Sequence, residues 1–163
     1  MAQDGYRDGE QRLGFDPAQA GQASVAFIGH LRSSWAKGNC PRNIRQSRER
    51  GGGAARIELA PGYAPALTGL QVGQMIWVLT WMDRAVRDLA LQRPGHVEGP
   101  RGTFSLRSPA RPNPIAMSLV RITALDAQAG VIGIDATDAF DGTPVVDLKP
   151  WIDTVDGPPT DAP

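Results

Sequence analysis

The sequence is poor in the residues that hold metals and disulfides: one cysteine, Cys40, and two histidines, His30 and His96, among 163 residues. A single thiol closes no internal disulfide, and these scattered ligands supply no zinc cluster, so no structural metal is expected. No apolar run approaches the roughly 20 residues of a membrane span. The first residues are polar and acidic rather than signal-like, which sets the expectation of a cytoplasmic protein with no membrane partner. No Gly-x-Gly-x-x-Gly or Gly-x-x-x-x-Gly-Lys-Ser/Thr follows a strand-like run, which withdraws support from a doubly wound nucleotide fold. Nor does any motif place His30 beside an activated serine or cysteine, which argues against a nucleophilic hydrolase.

Net charge is absent too, with 17 Lys and Arg against 17 Asp and Glu. That balance hides a segregation along the chain. Residues 31–60 carry Arg32, Lys37, Arg42, Arg45, Arg48, Arg50 and Arg56 against Glu49 and Glu58, and residues 101–121 carry Arg101, Arg107, Arg111 and Arg121 with no acid. Residues 122–163 carry Asp126, Asp135, Asp138, Asp141, Asp147, Asp153, Asp156 and Asp161 against Lys149 alone. Two outcomes stay open: the basic segments meet and grip RNA phosphates through counterion release, or they pair with the acidic end of the chain.

The length suits one domain with one core. Residues 1–22 read as a flexible arm, residues 23–153 as the domain and residues 154–163 as a flexible tail. Apolar, β-branched runs at Ser24–Leu31, Ala55–Leu59, Met75–Trp81, Ala116–Thr123, Val131–Ile134 and Val145–Leu148 are punctuated by Gly and Pro, as strands between turns are. Met75–Trp81 is too continuously apolar to face water and reads as a central strand. The pattern predicts a mainly β protein, a single antiparallel β-barrel with short helices and long loops. Helical candidates are Ala64–Leu70 and Arg84–Gln92, the latter for the rhythm of Ala85, Val86, Leu89 and Leu91. Gly51-Gly52-Gly53 reads as a mobile basic loop.

The most informative stretch is Gly102–Pro114, containing Arg107-Ser108-Pro109-Ala110-Arg111-Pro112-Asn113-Pro114, answered by Asp138-Ala139-Phe140-Asp141-Gly142-Thr143-Pro144-Val145-Val146-Asp147-Leu148-Lys149-Pro150-Trp151. Prolines around Arg111 and Asn113 fix backbone angles and remove amide donors, so these side chains are presented from a stiff loop. The first motif resembles the Arg-Ser-x-x-Arg-Pro-Asn-Pro-Ile-Gly-x-Ser signature of the TsaA/TrmO family, and the second its Asp-Gly-Thr-Pro-Val-x-Asp-Ile-Lys-Pro-Tyr signature. The similarity spans Ser24 to about Asp153. Departures are Ala110 for an aromatic residue, Ala116 for Gly, Trp151 for Tyr, and Asp83-Arg84 where many relatives carry His and a polar residue.

The resemblance implies an S-adenosylmethionine-dependent tRNA methyltransferase built on a β-barrel, acting on N6-threonylcarbamoyladenosine beside the anticodon, and a homodimer. It implies donor contacts from Pro41, Arg42, Asn43, Asp83, Arg84, Arg107, Met117 and the segment Asp135, Ala136, Thr137 and Asp138. Asp138 is the candidate general base, because methylating a weakly nucleophilic N–H requires its proton to be removed at or near the transition state. Arg45, Arg48, Arg111, Asn113 and Lys149 are the candidate RNA contacts. Each has a plainer reading beside it: Met117 as strand packing, Arg84 as the start of a helix, Arg111 and Asn113 as loop supports, the aspartates as turn caps. Two other functions remain in view, a non-catalytic RNA-binding barrel and a methyltransferase for a small molecule.

Overall fold

The computed structural model describes residues 7–19, 21 and 23–158. The first six residues and residues 159–163, both in segments expected to be flexible, lie outside these. The elements in order are strand β1 (Gln11–Arg12), β2 (Gly29–Arg32), helix α1 (Ile44–Glu49), β3 (Arg56–Leu59), β4 (Met75–Trp81), β5 (Leu89–Gln92), β6 (Arg101–Gly102), β7 (Ile115–Asp126), β8 (Val131–Ile134), β9 (Pro144–Pro150) and helix α2 (Asp153–Asp156). Single 3-10 turns occur at Ala64–Leu67 and Thr103–Ser105. The chain sorts into two compact units: Ala26–Trp81 with Met117–Pro163, and Met1–Val25 with Met82–Ala116.

The first unit is the expected barrel, closed in the order β2-β3-β8-β7-β4-β9. Its strands are antiparallel, and the register sets apolar side chains in line: Leu31 faces Ile57, which faces Ile132 on the next strand. All three are buried, with Val120, Ile122, Ile76, Val78 and Val145 completing the core. β-Branched residues suit this pleated, one-sided burial because they lose little side-chain freedom in it. Leu67, on the 3-10 turn within the expected Ala64–Leu70 helix, is also buried.

β4 differs from expectation. Ile76, Val78 and Thr80 point into the core while Met75, Trp77, Leu79 and Trp81 are half-buried on the outside. Its outer face is apolar because aromatic neighbours cover it, Trp151 against Trp77 with ring centroids 5.6 Å apart and Phe27 against Trp81 at 6.5 Å. Continuous apolarity here reflects outer cladding rather than burial on two faces.

The second unit holds a three-stranded sheet in the order β1-β5-β6. It corrects two expectations. Leu89–Gln92 is a strand, not the end of a helix, because its apolar residues pair with Gln11–Arg12 on one side and Arg101–Gly102 on the other. Gln11–Arg12, within the segment expected to be a flexible arm, is therefore a paired strand, and the Arg12 guanidinium meets Asp88 at 2.6 Å. Beyond the barrel, Asp153–Asp156 forms one short helical turn where a frayed tail was expected.

Candidate functional site

The segment Asp135–Asp141, which joins β8 to β9, leaves the barrel at one mouth, and the segment Ser33–Gly53 packs against it there. Donors from this second segment converge on consecutive carbonyls of the first. Trp35 Nε1 and Ser47 Oγ each donate to the Thr137 carbonyl at 2.7 Å. Cys40 Sγ donates to the Asp138 carbonyl at 3.2 Å, and Ser33 Oγ to that of Ala139 at 3.0 Å. In return Thr137 N–H donates to the Gly52 carbonyl and Asp141 N–H to that of Trp35. Asp141 Oδ1 accepts from Ser33 N–H, so this aspartate caps the turn, as its place before Gly142 suggests. A backbone segment with its carbonyls satisfied in this way is fixed before any ligand arrives.

The glycine run closes the arrangement and corrects the expectation of a mobile loop. Gly51, Gly52 and Gly53 all have positive φ, at 81°, 74° and 78°. A Cβ on Gly52 would collide with the Asp135 carbonyl oxygen, and one on Gly53 with the Trp35 indole. Glycine is thus needed for close approach as well as for the left-handed backbone. The Arg50 guanidinium lies 4.7 Å from the centre of the Trp35 ring, holding its face.

Helix α1 was not expected from the sequence. It is short and polar, but Asn43 caps it by accepting from Gln46 N–H at 2.9 Å, while Gln46 Oε1 reaches back to Arg42 N–H at 2.8 Å. This resembles a capping box, displaced by one residue because Gln46 accepts from Arg42 rather than from the cap itself, and its signal was legible in Asn43-x-x-Gln46. The helix presents Arg45, whose side chain is 84% exposed, and Arg48, whose Nε meets Asp135 Oδ2 at 2.7 Å and whose Nη2 donates to the Leu119 carbonyl. Asp135 Oδ1 accepts from Arg121 N–H. Arg48 and Asp135 therefore fasten α1 and β7 to the segment, and part of the basic charge pairs with the acidic end of the chain. Arg32 likewise meets Glu58 at 2.8 Å and Asp141 at 3.9 Å.

The candidate residues fall into four places. Pro41, Arg42, Asn43, Arg45, Arg48, Asp135, Ala136, Thr137 and Asp138 gather at this mouth. Ala136 and Thr137 are buried, so what they can offer a ligand is backbone, whereas Asp138 is half-buried and Arg42 exposed. Met117 is exposed on β7 rather than packed in the core. Lys149 lies toward the other mouth, since β9 runs away from Asp141; its Nζ meets Asp147 at 2.9 Å. There it lines a cleft of about 550 Å³ with Tyr63, Leu67, Gln74 and Leu148, which contains none of the Asp135–Asp138 segment. The cleft is thus lined by the end of the second motif, Asp147 to Pro150, and stands apart from the hydrogen-bonded segment at the motif's start. Asp83, Arg84, Arg107, Arg111 and Asn113 belong to the other unit. Asp83 and Arg84 are exposed on the turn after β4, and Arg107 is exposed. Arg111 clamps the carbonyls of Thr103 at 3.0 Å and Leu106 at 2.8 Å, the loop-support role open to it.

Burial pushes the Cys40 thiol up to about 11, with the Asp138 carboxylate adding to the effect. Cys40 is therefore a neutral donor to the segment, not a nucleophile. Glu58 is held below the usual carboxylate range by its hydrogen bonds to Arg32 and then Arg56. Among the described residues no group of three or more His, Cys, Asp or Glu side chains comes together, and no helix is long and apolar enough to cross a membrane.

Trp35, Ser33 and Ser47 carry much of this geometry and were not singled out from sequence, while Gly52 was noted only as part of a mobile loop. A lone tryptophan inside an otherwise polar stretch, with three consecutive glycines further on, was the available signal. A closed antiparallel barrel with a hydrogen-bonded loop segment fixed at one mouth places the chain among the β-barrel proteins rather than the doubly wound nucleotide folds. The chain belongs to the family of the tRNA-methyltransferase O N-terminal domain, which it matches over residues 30–157. It is 37% identical over 130 residues to a "Probable S-adenosyl-L-methionine-binding protein" of Archaeoglobus fulgidus, covering 79% of this chain and 34% of that one. It is 41% identical over 76 residues to a "tRNA (adenine(37)-N6)-methyltransferase" of Eikenella corrodens, covering 45% and 43%. The solved structure of TrmO from Pseudomonas aeruginosa superposes with a TM-score of 0.64 at 28% identity, covering 87% of this chain and 61% of that one. The chain thus spans less than two thirds of each of these relatives.

Proposed function

We propose that the chain is the catalytic domain of an S-adenosylmethionine-dependent methyltransferase that methylates N6 of N6-threonylcarbamoyladenosine beside the anticodon of tRNA. The observation that carries this reading is the family membership over residues 30–157. The names of relatives support its two halves, one naming the donor and the other the tRNA adenine.

The residues present fit such a donor. Its carboxylate suits the exposed guanidinium of Arg42, its positive sulfur suits carboxylate or carbonyl oxygen, and its adenine suits backbone amides on a segment tied down by hydrogen bonds. Asp138 supplies the carboxylate and Asp135–Ala139 the fixed backbone. When bound, the donor supplies an electrophilic methyl group whose bonding pair leaves with sulfur. The chain's own task is then to hold the acceptor nitrogen in line, which can account for much of the rate. Asp138 takes the N6 proton as the nitrogen attacks. Arg45 holds RNA phosphate, while Arg48 acts through Asp135 to keep the segment in place. The reading includes a cytoplasmic homodimer, to be checked by mass in solution.

The test is transfer of labelled methyl from S-adenosylmethionine to two matched tRNA pools, one bearing N6-threonylcarbamoyladenosine and one lacking it. Label confined to the modified pool is expected. Donor binding with label in neither pool would overturn the tRNA assignment, and transfer to a small molecule without RNA would replace it.

A further inference from the structure

Phe104 is 87% exposed, yet the backbone around it is pinned. It occupies the middle of the Thr103–Ser105 turn. Thr103 beside it is buried; its Oγ1 donates to the Leu89 carbonyl at 2.7 Å and accepts from Gln92 Nε2 at 3.0 Å. Gln92 also donates to the Ala110 carbonyl, and Arg111 holds the carbonyls of Thr103 and Leu106. These bonds tie the turn to β5 and to the proline-rich loop, so the ring is presented from a rigid base. A large aromatic ring left in water contributes little to folding, and with the exposed Ile115, which lines one groove with it, it makes an apolar patch open to a partner rather than a lone surface residue.

The partner's chemistry follows from the surroundings. Phe104 lines a groove of about 290 Å³ with Arg111, Pro112, Asn113 and Ile115. That is just below the roughly 300–1,000 Å³ of sites that enclose a drug-sized molecule, and it suits a single flat ring. Asn113 offers both a donor and an acceptor to the edge of such a ring. From residue 101 to residue 116 the segment contains Arg101, Arg107 and Arg111 and no acidic residue, which favours a ring carried on a polyanion.

We propose that Phe104 is the stacking platform for one unstacked base of an RNA. The proposal rests on the reading of the chain as an RNA methyltransferase and adds to it a base-binding groove distinct from the Asp135–Asp138 segment. An aromatic face tolerates any base, so the groove contributes affinity and Asn113 the choice of base.

Because the ring is exposed, Phe104→Ala retains the fold, and binding can be read directly. A fluorescein-labelled anticodon stem-loop, titrated by anisotropy, should bind F104A roughly five- to a hundredfold more weakly, the range carried by one stacked base. Phe104→Trp should restore binding and Phe104→Leu should not, while calorimetry shows unchanged affinity for S-adenosylmethionine. Several results would overturn the proposal: equal RNA affinity in F104A, equal rescue by Leu and Trp, loss of donor affinity instead, or a fall in solution mass that makes the ring a subunit contact. Methyl transfer by the wild type, run in parallel, separates the two claims. RNA affinity that depends on Phe104 without transfer would sink the methyltransferase reading alone, and transfer with Phe104-independent affinity would sink the stacking alone.

Discussion

Trp35 and Ser47 donate to the same oxygen, the Thr137 carbonyl, each at 2.7 Å. A carbonyl has two lone pairs, and here both are filled by buried side chains from one folded segment. The turn that follows β8 is thereby fixed from a direction its own sequence does not encode.

Removing one donor leaves the other. Ser47→Ala and Trp35→Phe should each cost about 1 kcal/mol in hydrogen bonding, with packing loss added for the indole. The double variant strands a buried carbonyl and should cost about 1–3 kcal/mol beyond the sum of the singles. Urea unfolding of all four proteins measures the coupling, and simple additivity would show that the shared oxygen is unimportant.

Gly51 and Gly52 make a matched pair, with φ of 81° and 74°. A Cβ on Gly51 meets nothing within 4 Å, whereas one on Gly52 collides with Asp135. Gly51→Ala should cost about 1–2 kcal/mol, the strain of a left-handed alanine. Gly52→Ala should cost clearly more and weaken donor binding, because Asp135 must move. Equal costs in thermal unfolding would mean that the close contact relaxes freely.

With its thiol at about 11 rather than 9.0, Cys40 in the folded chain carries roughly a hundredth of the thiolate of an unfolded one. Iodoacetamide at pH 8 should therefore label native protein about a hundredfold more slowly than urea-unfolded protein. The raised value also means that the associated stability is whole below pH 9.0 and is lost as pH climbs through about 11. Cys40→Ser should flatten that alkaline limb, and an unchanged limb would assign it to other groups.

Glu58 gives the opposite slope. Its depressed value, caused first by the Arg32 hydrogen bond, stabilises the fold above the ordinary carboxylate value of 4.5, and the benefit disappears as pH falls below it. The pair is partly exposed, with side chains 40% and 33% accessible, so the effect should be modest and weaker in salt. Glu58→Gln should lose less stability than wild type between pH 5 and pH 3 in thermal scans; parallel curves would remove Glu58 from the acid response.

The barrel was legible because its strands carry β-branched runs between Gly and Pro turns, and because two motifs fixed the family. Leu89–Gln92 misled because so short an apolar run satisfies both helical and strand periods, and its partners come from distant segments. α1 has no apolar face, so its signal lay in the Asn43 cap alone. The three glycines suggested slack because composition does not reveal what a glycine touches. The ties from Trp35 and Ser47 to Thr137 cross most of the barrel sequence, a separation at which local patterns are silent.

The circular strand order β2-β3-β8-β7-β4-β9 also limits how copies of this unit can meet. A ring of strands spends its backbone donors and acceptors internally and offers no ladder for a neighbour to extend. Assembly through the barrel must therefore use side chains on its outer wall, such as Trp77 and Trp151, and should respond to dilution and to single substitutions there. The outer strands of the other unit, β1 and β6, are each two residues long, too short to seed a continuous sheet between molecules.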